Sequence, residues 1–300
     1  TILGPTAAGK TQLAVRLAYK LGGEIISADS RQVYRGMDIG TGKDLNEYNI
    51  NGEVIPYHLI NIIDPDNNYS VSQFQKDYKK VVSEIINREK IPVLCGGTGF
   101  YIKSILLNFQ IPSVGPNKYL RQKLENCGLE HLINKLESIT PGISKRTSID
   151  TKRRVIRAIE IELWKIENNT QNITIKSSSI NFQSSVVLGI DFSREVIRNR
   201  ISDRLYERFN NGMIEEVQLL IDNGISYERL YSFGLEYRFI SCYLLGELGK
   251  EEMIEKLNTA IHQFAKKQMT FFRNMEKSGI KINWIEEGDF DLSLKVILNN

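Results

Sequence analysis

The segment that most constrains this chain lies near its start, where "GPTAAGKT" covers residues 4–11. A glycine, four residues and a second glycine followed by lysine and threonine form the pattern of a phosphate-binding loop. Such a loop turns its backbone N–H groups toward phosphate oxygens, and the following helix directs the positive end of its dipole at the same anion. Lys10 adds a mobile cation, and the Thr11 hydroxyl is suited to a Mg²⁺ ligand. The pattern predicts a phosphate site formed by Gly4, Pro5, Thr6, Ala7, Ala8, Gly9, Lys10 and Thr11.

The segments around this loop predict an α/β fold. Apolar residues at helical spacing follow the loop and end at Gly22, and two apolar segments, "GEIISADS" and "IPVLCGG", are typical of buried strands. Between these strands a helix is predicted over residues 69–90, capped by Ser70 or Ser72. Its apolar stripe consists of Phe74, Tyr78, Val81, Val82, Ile85 and Ile86. This order of elements predicts a P-loop NTPase-like parallel sheet flanked by helices, with a helical insertion domain.

The limits of that insertion follow from a change in sequence character near residue 115. Helical segments rich in Lys and Arg are followed by the polar tract "ENNTQNITIKSSSINFQSS", which predicts a loop. The segment "VVLGIDF" then predicts a returning strand, and the chain is mainly helical from Arg194 onward. We therefore predict a P-loop catalytic core of residues 1–114 and 184–300 and a mainly helical insertion of residues 115–183.

Composition excludes some classes of protein. Hydrophobic residues make up 41% and charged residues 25% of the chain, as in ordinary globular proteins, and no apolar run approaches the ~18 residues of a membrane span. Cys95, Cys127 and Cys242 show neither zinc nor disulfide spacing, which favours reduced thiols in the cytoplasm. The net charge of +3 permits a nucleic-acid partner without requiring one.

Residues at the ends of the predicted strands narrow the chemistry. Ligands of parallel sheets bind at the carboxyl ends of the strands, so we expect the phosphate loop, Asp29 and Thr98 to converge. A kinase or hydrolase with this loop normally carries a magnesium-linked acid at the end of a second apolar strand. Here "IPVLCGG" ends in glycines and Thr98, and the carboxylate is at Asp29 instead. Asp29 is open to three roles, as a metal-linked acid, a general base or a cap of the following segment.

Three basic segments have helical spacing, "DTKRRVIRAIEIELW", "REVIRNRISDRLYERF" and "HQFAKKQMTFFRNM". Such segments are commonly the solvated faces of amphipathic helices. On a phosphate-binding protein, arginines and aromatic residues together also suit backbone contacts and base stacking with a single-stranded or splayed nucleic acid. The cationic and aromatic residues concerned are Arg153, Arg154, Arg157, Arg200, Arg204, Arg208, Lys266, Lys267, Arg273, Phe264, Phe271 and Phe272.

Longer motifs occur together with the phosphate loop over nearly the whole chain. They are "SADSRQVYRGMDIGTGK", "IDPDNNYSVSQFQKD", "IPVLCGGTGFYIKSIL", "RRVIRAIEI", "RISDRLYERFNNGMIEEV" and "FAKKQMTFFRN". In these motifs the sequence resembles the bacterial tRNA dimethylallyltransferases, which add an isopentenyl group to an adenosine beside the anticodon. The segment "YSFGLEYRF" differs around its glycine from the sequence that is commonest in the family.

The resemblance implies substrates and residue roles. The phosphate loop would bind the pyrophosphate of dimethylallyl diphosphate, with Lys10 on the phosphates and Thr11 on Mg²⁺. Asp29 would be the general base that takes a proton from the exocyclic amine of adenine, Thr98 would line the reactive centre, and Arg204 would reach the pyrophosphate. The tRNA-binding residues would be Asp29, Ser30, Arg31, Gln32, Thr98, Arg121, Arg153, Arg154, Arg157, Gln263, Lys266, Lys267 and Phe271. We also expect a cytoplasmic monomer with no membrane partner.

Other functions remain open from the sequence. An adenylate isopentenyltransferase, which prenylates a free nucleotide, would have little use for the basic helices around Arg157 and Lys266. A small-molecule kinase or an ATP-driven binding module would release the γ-phosphate of ATP. A binding module without activity would not depend on Asp29.

Overall fold

A computed structural model of the chain describes residues 1–112, 114–145, 147–168 and 185–299. The chain divides into two compact units, Thr1–Phe109 together with Ile180–Asn300, and Gln110–Ser179. Most of the loop predicted for the polar tract, from residue 169 to 184, lies outside the described residues. The exact limits of the insertion, residues 115–183, stay a prediction.

The first unit contains a parallel sheet. The strands are β1 (Ile2–Leu3), β2 (Gly23–Ser27), β3 (Asn49–Ile50), β4 (Glu53–Val54), β5 (Tyr57–His58), β6 (Ile91–Gly96), β7 (Leu188–Asp191) and β8 (Asn283–Glu286). Six of them form one sheet in the order β5-β2-β6-β1-β7-β8, with every neighbouring pair parallel. The remaining two, β3 and β4, form an antiparallel pair.

Helices make up most of the rest of the described chain. They are α1 (Lys10–Leu21), α2 (Val71–Asn87), α3 (Gly99–Leu106), α4 (Lys118–Glu125), α5 (Leu129–Ile139), α6 (Lys152–Glu167), α7 (Arg194–Asn210), α8 (Met213–Asp222), α9 (Tyr227–Phe233), α10 (Leu235–Leu244), α11 (Lys250–Glu276) and α12 (Phe290–Leu298). Short 3₁₀ turns cover Leu45–Tyr48 and Ile143–Lys145. Helices α4, α5 and α6 belong to the second unit.

Helix α2 shows where the sequence prediction was correct and where it was wrong. Of the two predicted caps, Ser70 is the residue used, since its hydroxyl oxygen accepts the N–H of Gln73 at 3.2 Å. The predicted stripe includes Ile85, which is fully buried, but Ile86 is half exposed. Adjacent helical residues point about 100° apart, so only one of these two isoleucines can face the core.

Two hydrophobic cores cover the two faces of the sheet. Successive strand residues point to opposite faces, so Ile25 and Val93 belong to one core while Ile26 and Leu94 belong to the other. Helices α1, α7, α8 and α10 contribute to the first core, and α2 and α3 contribute to the second. The parallel sheet with helices on both faces confirms the predicted α/β class and brings the carboxyl ends of β1, β2 and β6 to one edge.

The second unit has a small helical core of its own. Leu132 and Leu136 of α5 pack with Val155 and Ile159 of α6, and Leu124 of α4 joins them. Across both units, none of the described helices combines the length and the apolar character that crossing a membrane would require.

Candidate active site

The loops that follow β1, β2 and β6 line one cavity in the first unit, called here the main cavity. Since β6 lies between β1 and β2 and all three are parallel, their carboxyl ends meet at one edge of the sheet. The cavity is lined by residues 6–12, 29–32, 38–48 and 95–100, and by side chains of α7, α10 and α11. Its volume of about 1290 Å³ exceeds the roughly 300–1,000 Å³ typical of a site for one small ligand. The space suits two substrates or one large one.

The phosphate loop has the backbone of an anion site. Gly9 has a left-handed φ of +70°, which allows the chain to turn from the loop directly into α1. Lys10 and Thr11 follow at the helix N-terminus and line the cavity. The Nζ of Lys10 donates to the carbonyl oxygen of Pro5 at 2.7 Å, and burial lowers the pKa of Lys10 to about 8. Gly4 and Pro5 are buried beneath the lining.

Arg204 of α7 reaches the phosphate loop from a distant part of the sequence. Its Nη2 donates to the hydroxyl oxygen of Thr6. Burial, with repulsion from Arg208, lowers the pKa of Arg204 to about 10, so its guanidinium remains a cation near neutral pH. The loop N–H groups, Lys10 and Arg204 together form a positively charged, partly desolvated end of the cavity. An anion bound there would offset the cost of burying these charges.

Gln268 of α11 was not predicted, although it holds this end of the cavity together. Its Oε1 accepts the N–H of Thr6 at 2.9 Å, and its Nε2 donates to the carbonyl oxygen of Gly97 at 2.9 Å. The side chain is buried, so both bonds are shielded from water. Gln268 therefore connects the phosphate loop to the end of β6. No local pattern marks a residue whose role depends on partners 171 and 262 positions away.

Asp29 and Thr98 lie where β2 and β6 end. The N–H of Thr98 donates to the carbonyl oxygen of Ala28 at 3.1 Å, and Thr98 Oγ1 accepts the N–H of Ser30 at 3.0 Å. Asp29 Oδ1 accepts the N–H of Arg31 at 2.8 Å, which is the capping role allowed by the sequence. That bond orients the carboxylate without exhausting its acceptor capacity. Asp29 lines the cavity, where its carboxylate can accept a further hydrogen bond.

The wall of the cavity formed by residues 38–40 is held by a single carboxylate. Glu216 of α8 accepts the N–H groups of Asp38, Ile39 and Gly40 at 2.7, 2.6 and 3.0 Å. It also accepts the hydroxyl of Tyr237 at 2.7 Å. Four donors on one carboxylate hold this loop in one conformation. The local sequence does not show these contacts, because the three N–H donors are 176 to 178 positions away and Tyr237 is 21 positions away.

Two polar residues of the motif "SRQVYRGMDIGTGK" stabilise the same wall through hydrogen bonds. Lys43 is only 1% exposed, and its Nζ donates to Asp38 Oδ1 at 2.6 Å. Gln32 lines the cavity, but its Nε2 donates to the carbonyl oxygen of Gly42 at 3.0 Å. These bonds give Lys43 and Gln32 a structural role in shaping the cavity.

Aromatic and basic side chains occur on α11 and at the start of α3. Phe264, Lys267 and Phe271 line the cavity, and Phe264 is 46% exposed. Phe100, which was not predicted, also lines it and is 47% exposed. Phe272 was predicted to join the basic surface, but it is fully buried in the second core. Residues 271 and 272 are adjacent in a helix, so their side chains point about 100° apart. Phe272 borders the cavity, but it is 0% exposed and packs mainly into the core.

The residues predicted to bind tRNA fall into three groups. Those in the cavity lining are Asp29, Ser30, Arg31, Gln32, Thr98, Lys267 and Phe271. Gln263 and Lys266 are exposed on α11 outside the lining. The remaining four belong to the second unit.

In the second unit the arginines surround a buried acid. Arg121 donates through Nε and Nη2 to the two carboxylate oxygens of Glu160 at 2.7 and 2.8 Å, and Arg157 Nη1 donates to the same carboxylate at 3.0 Å. Glu160 is 3% exposed, and although burial raises its pKa, these bonds lower the pKa overall. Arg153 and Arg154 of the same helix are exposed to solvent. The sequence did not reveal that Arg121 and Arg157 are already partnered.

Two of the acids in the cavity lining, Glu47 and Glu236, have raised pKa values. Burial raises the pKa of Glu47, and Asp44 raises it further. Burial also raises the pKa of Glu236, while the nearby cations Arg208 and Arg204 act in the opposite direction. These carboxylates partly balance the cations of the empty cavity.

Comparison with known proteins assigns the chain to a family. Residues 32–275 match the family model described as IPP transferase. The tRNA dimethylallyltransferase 2 of Phocaeicola vulgatus is 47% identical over 291 residues, covering 95% of this chain and 91% of that protein. The tRNA dimethylallyltransferase 1 of Porphyromonas gingivalis is 48% identical over 286 residues, covering 95% of this chain and 93% of that protein.

Solved structures show the same relationship. The tRNA isopentenylpyrophosphate transferase of Bacillus halodurans is 35% identical with a TM-score of 0.69, covering 99% of this chain and 93% of that one. A eukaryotic dimethylallyltransferase acting on tRNA is 26% identical with a TM-score of 0.78, covering 97% of this chain and 74% of that one. With a family model matching most of its length and relatives well above 30% identity, the chain belongs to the IPP transferase family of prenyl-transferring enzymes.

Proposed function

We propose that this chain is a tRNA dimethylallyltransferase. It transfers a dimethylallyl group from dimethylallyl diphosphate to the exocyclic N6 amine of the adenosine on the 3′ side of the anticodon, giving N6-isopentenyladenosine and diphosphate. The observation that carries the proposal is the main cavity, where the phosphate loop and Arg204 lie at the same sheet edge as Asp29 and Thr98. The names of the relatives support the same reaction.

The residues present suit this chemistry. As the bond between the allylic carbon and oxygen breaks, its electron pair leaves with the diphosphate, and the N6 nitrogen forms a new bond to that carbon. Backbone N–H groups of the phosphate loop, Lys10 and Arg204 stabilise the charge that develops on the diphosphate. The N6 proton passes to the carboxylate of Asp29, which is ordered by its bond from the Arg31 N–H. Thr98 orders the neighbouring loop and lines the reactive centre.

The phosphate loop also fits Mg²⁺. The Thr11 hydroxyl is in the cavity lining at the start of α1, and the described residues contain no cluster of three His, Cys, Asp or Glu side chains that would form an all-protein cage. Magnesium typically keeps several waters and takes few protein ligands together with phosphate oxygens. Thr11 would hold the ion, which when bound neutralises charge on the diphosphate.

The acceptor would enter with its target base removed from the stack, as in other enzymes that modify bases. Phe264, Phe271 and Lys267 offer aromatic surface and charge for flanking nucleotides. Exposed Lys266 and Gln263 extend this surface along α11, and the exposed Arg153 and Arg154 offer phosphate contacts in the insertion. Within this proposal the enzyme acts as a cytoplasmic monomer.

Two other functions make different predictions. An adenylate isopentenyltransferase would share the donor site and use AMP, ADP or ATP as acceptor. A P-loop kinase would need a magnesium-linked acid beyond the phosphate loop. The end of β6 offers Gly96, Gly97 and Thr98 in its place.

The direct test offers the purified chain labelled dimethylallyl diphosphate with either unmodified tRNA or AMP. We expect label on the tRNA, and none on a control tRNA in which guanosine replaces the target adenosine. Label found only on AMP would contradict the proposed acceptor. Release of γ-phosphate from ATP at a comparable rate would indicate the kinase.

The role of Asp29 is tested by Asp29→Asn, whose amide oxygen can still accept the Arg31 N–H. We expect turnover to fall about 10²–10⁴-fold because the base is lost, with tRNA affinity unchanged. The control is Asp64→Asn, which removes an exposed carboxylate paired with Arg35 and should leave turnover unchanged. Turnover of Asp29→Asn within a few-fold of the wild type would refute the assignment.

A further inference from the structure

Arg208, one turn beyond Arg204 on α7, is a buried cation of the main cavity that the reaction described above does not use. The residue is 9% exposed and lines the cavity. Its Nε has no hydrogen-bond partner in the part of the chain that the structure describes. Its Nη2 forms a long ion pair, 3.7 Å from Oδ2 of the half-exposed Asp44, a distance too great for a hydrogen bond. A buried guanidinium with an unsatisfied N–H group is costly unless a ligand completes it.

The position of this guanidinium is set by the wall of the cavity. A Cβ atom built on Gly42 would lie 1.7 Å from Nη2 of Arg208, so the arginine occupies space that a side chain at position 42 would fill. Gly42 has a left-handed φ of +62°, and its carbonyl oxygen accepts Gln32 Nε2 at 3.0 Å. The guanidinium is therefore packed against an ordered loop.

Arg204 and Arg208 present two like charges to the same cavity. Residues four apart share a face of a helix and are about 6 Å apart along its axis. Repulsion from Arg208 contributes to the lowered pKa of Arg204. Asp44, Glu236 and Glu47 offset part of this repulsion, and the positive charge that remains favours a ligand that carries more than one negative charge.

We propose that Arg208 is a second arginine of the donor site and binds the diphosphate group together with Arg204, an assignment that rests on the proposed function. The phosphate loop and Lys10 would bind the diphosphate from one side and the two arginines from the other. A guanidinium offers parallel N–H donors that match phosphate oxygens. Arg208 would also stabilise the negative charge that the diphosphate gains as it leaves.

Burial favours the diphosphate over a phosphate of the tRNA backbone. Lys266 and Lys267 are exposed on α11, as a surface for a bulky polyanion requires. Arg208 is nine-tenths buried and lies on α7 beside the loop at Gly42. Because Arg208 lines the cavity, its guanidinium is better placed for a small anion bound inside than for the backbone of a large polyanion.

The assignment is tested by measuring the Kd of inorganic pyrophosphate calorimetrically, without tRNA and at one fixed magnesium concentration. We expect Arg208→Gln to raise this Kd about tenfold to a hundredfold. Arg208→Lys should have an intermediate effect, because lysine keeps the positive charge but lacks the parallel N–H donors of a guanidinium. The matched control is Arg198→Gln, an exposed arginine of the same helix outside the main cavity. It should bind pyrophosphate as the wild type does.

A second variant displaces the guanidinium without removing its charge. In Gly42→Ala the new methyl group would occupy the position of Nη2, and we expect a loss of pyrophosphate affinity similar to that of Arg208→Gln. Thermal unfolding separates binding from folding. Ligand-free Arg208→Gln should unfold at the wild-type temperature or above, since an unsatisfied buried cation is removed, while its pyrophosphate-induced rise in Tm should shrink.

Wild-type pyrophosphate affinity in Arg208→Gln would overturn the assignment. So would a variant that binds pyrophosphate normally and loses affinity only for an unmodified anticodon stem-loop RNA, because Arg208 would then contact the tRNA. The pyrophosphate measurements contain no acceptor. A wild-type chain that binds pyrophosphate and labels only AMP would therefore refute the proposed acceptor and leave the assignment of Arg208 intact.

Discussion

Arginines in the two units of this protein have opposite surroundings. In the second unit, Arg121 and Arg157 both donate to the buried carboxylate of Glu160, at distances between 2.7 and 3.0 Å. In the first unit, Arg204 donates to the uncharged hydroxyl of Thr6, and the Nε of Arg208 has no partner among the described residues. In the second unit the arginines are neutralised by a buried carboxylate at hydrogen-bonding distance. In the first unit they face a cavity, and Arg208 has only a long ion pair, 3.7 Å from its Nη2 to Asp44 Oδ2.

This difference indicates that the paired arginines of the second unit contribute to stability, whereas the arginines of the main cavity contribute to ligand binding. Glu160 and its two arginines form charge-assisted hydrogen bonds on folding, so removing the acid would leave two cations without a carboxylate to neutralise them. The cations of the main cavity raise the free energy of the empty protein, and an anionic ligand recovers that free energy on binding. Substitution should therefore lower stability in the second unit and lower affinity or turnover in the first.

The largest effect is expected for Arg204→Gln. Loss of one charged donor to the leaving group should lower kcat about 10²–10³-fold, while the free energy of unfolding should not decrease. Single-turnover kinetics and urea unfolding measure the two quantities. Arg198→Gln, on the same helix and exposed, serves as the control. An Arg204→Gln protein with near-normal kcat, or with a large loss of stability, would remove the contrast between the units.

The next effect is expected for Glu160→Gln in the second unit. Two arginines lose their carboxylate, and because both are partly exposed we expect a loss of about 2–3 kcal/mol in the free energy of unfolding. Denaturant unfolding followed by circular dichroism measures it. Glu125→Gln, at an exposed position of α4, should change stability by no more than about 0.5 kcal/mol. Equal effects of the two substitutions would show that the buried acid adds little.

Lys10 makes both the stability of the ligand-free protein and its affinity for the donor depend on pH. Burial lowers its pKa from 10.5 to about 8, so between these pH values the unfolded chain binds more protons than the folded chain. The ligand-free protein therefore gains stability from this group as the pH rises from about 8 to 10.5, and the cost of burying the charged amine is complete below pH 8.

Donor affinity should depend on pH in the opposite direction, because the diphosphate needs the protonated amine. The Kd of dimethylallyl diphosphate without tRNA should rise above pH 8, by up to about tenfold per pH unit. In Lys10→Arg the rise should move to higher pH, since arginine keeps its proton. A wild-type Kd that is constant from pH 7 to 9.5 would contradict a functional role for this pKa.

The smallest effect concerns the salt dependence of tRNA binding. Replacing Lys267, an exposed cation that lines the cavity, with Gln should reduce the slope of log Kd against log salt concentration by about one. Arg121 was predicted to contact tRNA, but its pairing with Glu160 leads us to expect a smaller change for Arg121→Gln. Equal changes would show that the ion pair opens when tRNA binds.

Much of this arrangement could be predicted from the sequence because its causes are local. The phosphate-loop spacing identifies residues 4–11, and glycines at the required positions supply the turn into α1. Apolar strand segments that alternate with helical segments indicate a parallel sheet. Asp29, Thr98 and the phosphate loop follow strands of this sheet and therefore lie together at the carboxyl ends of the strands. Ser70 is recognisable as a cap because its partner is three residues away. The individual roles of these site residues stay predictions.

The rest depends on contacts between distant segments. Gln268, Glu216 and Phe100 lie within the family motifs, but nothing in their own helices shows what they contact. Each matters because another element is packed beside it. Ile86 and Phe272 were assigned to the wrong environments because both follow a residue of similar character, and periodicity alone does not decide which of two neighbours faces the core.

By itself, the sequence determined the phosphate loop, the α/β class and the membership of a prenyl-transferring family, since these depend on short motifs and on their order along the chain. The tertiary structure decided which charges are available to a ligand. Arg121, Arg157, Arg204 and Arg208 all occur in basic or amphipathic helical segments, and each segment alone is compatible with a solvated face. Whether an arginine is neutralised depends on the carboxylate that folding brings within hydrogen-bonding distance, and that pairing is a property of three-dimensional packing.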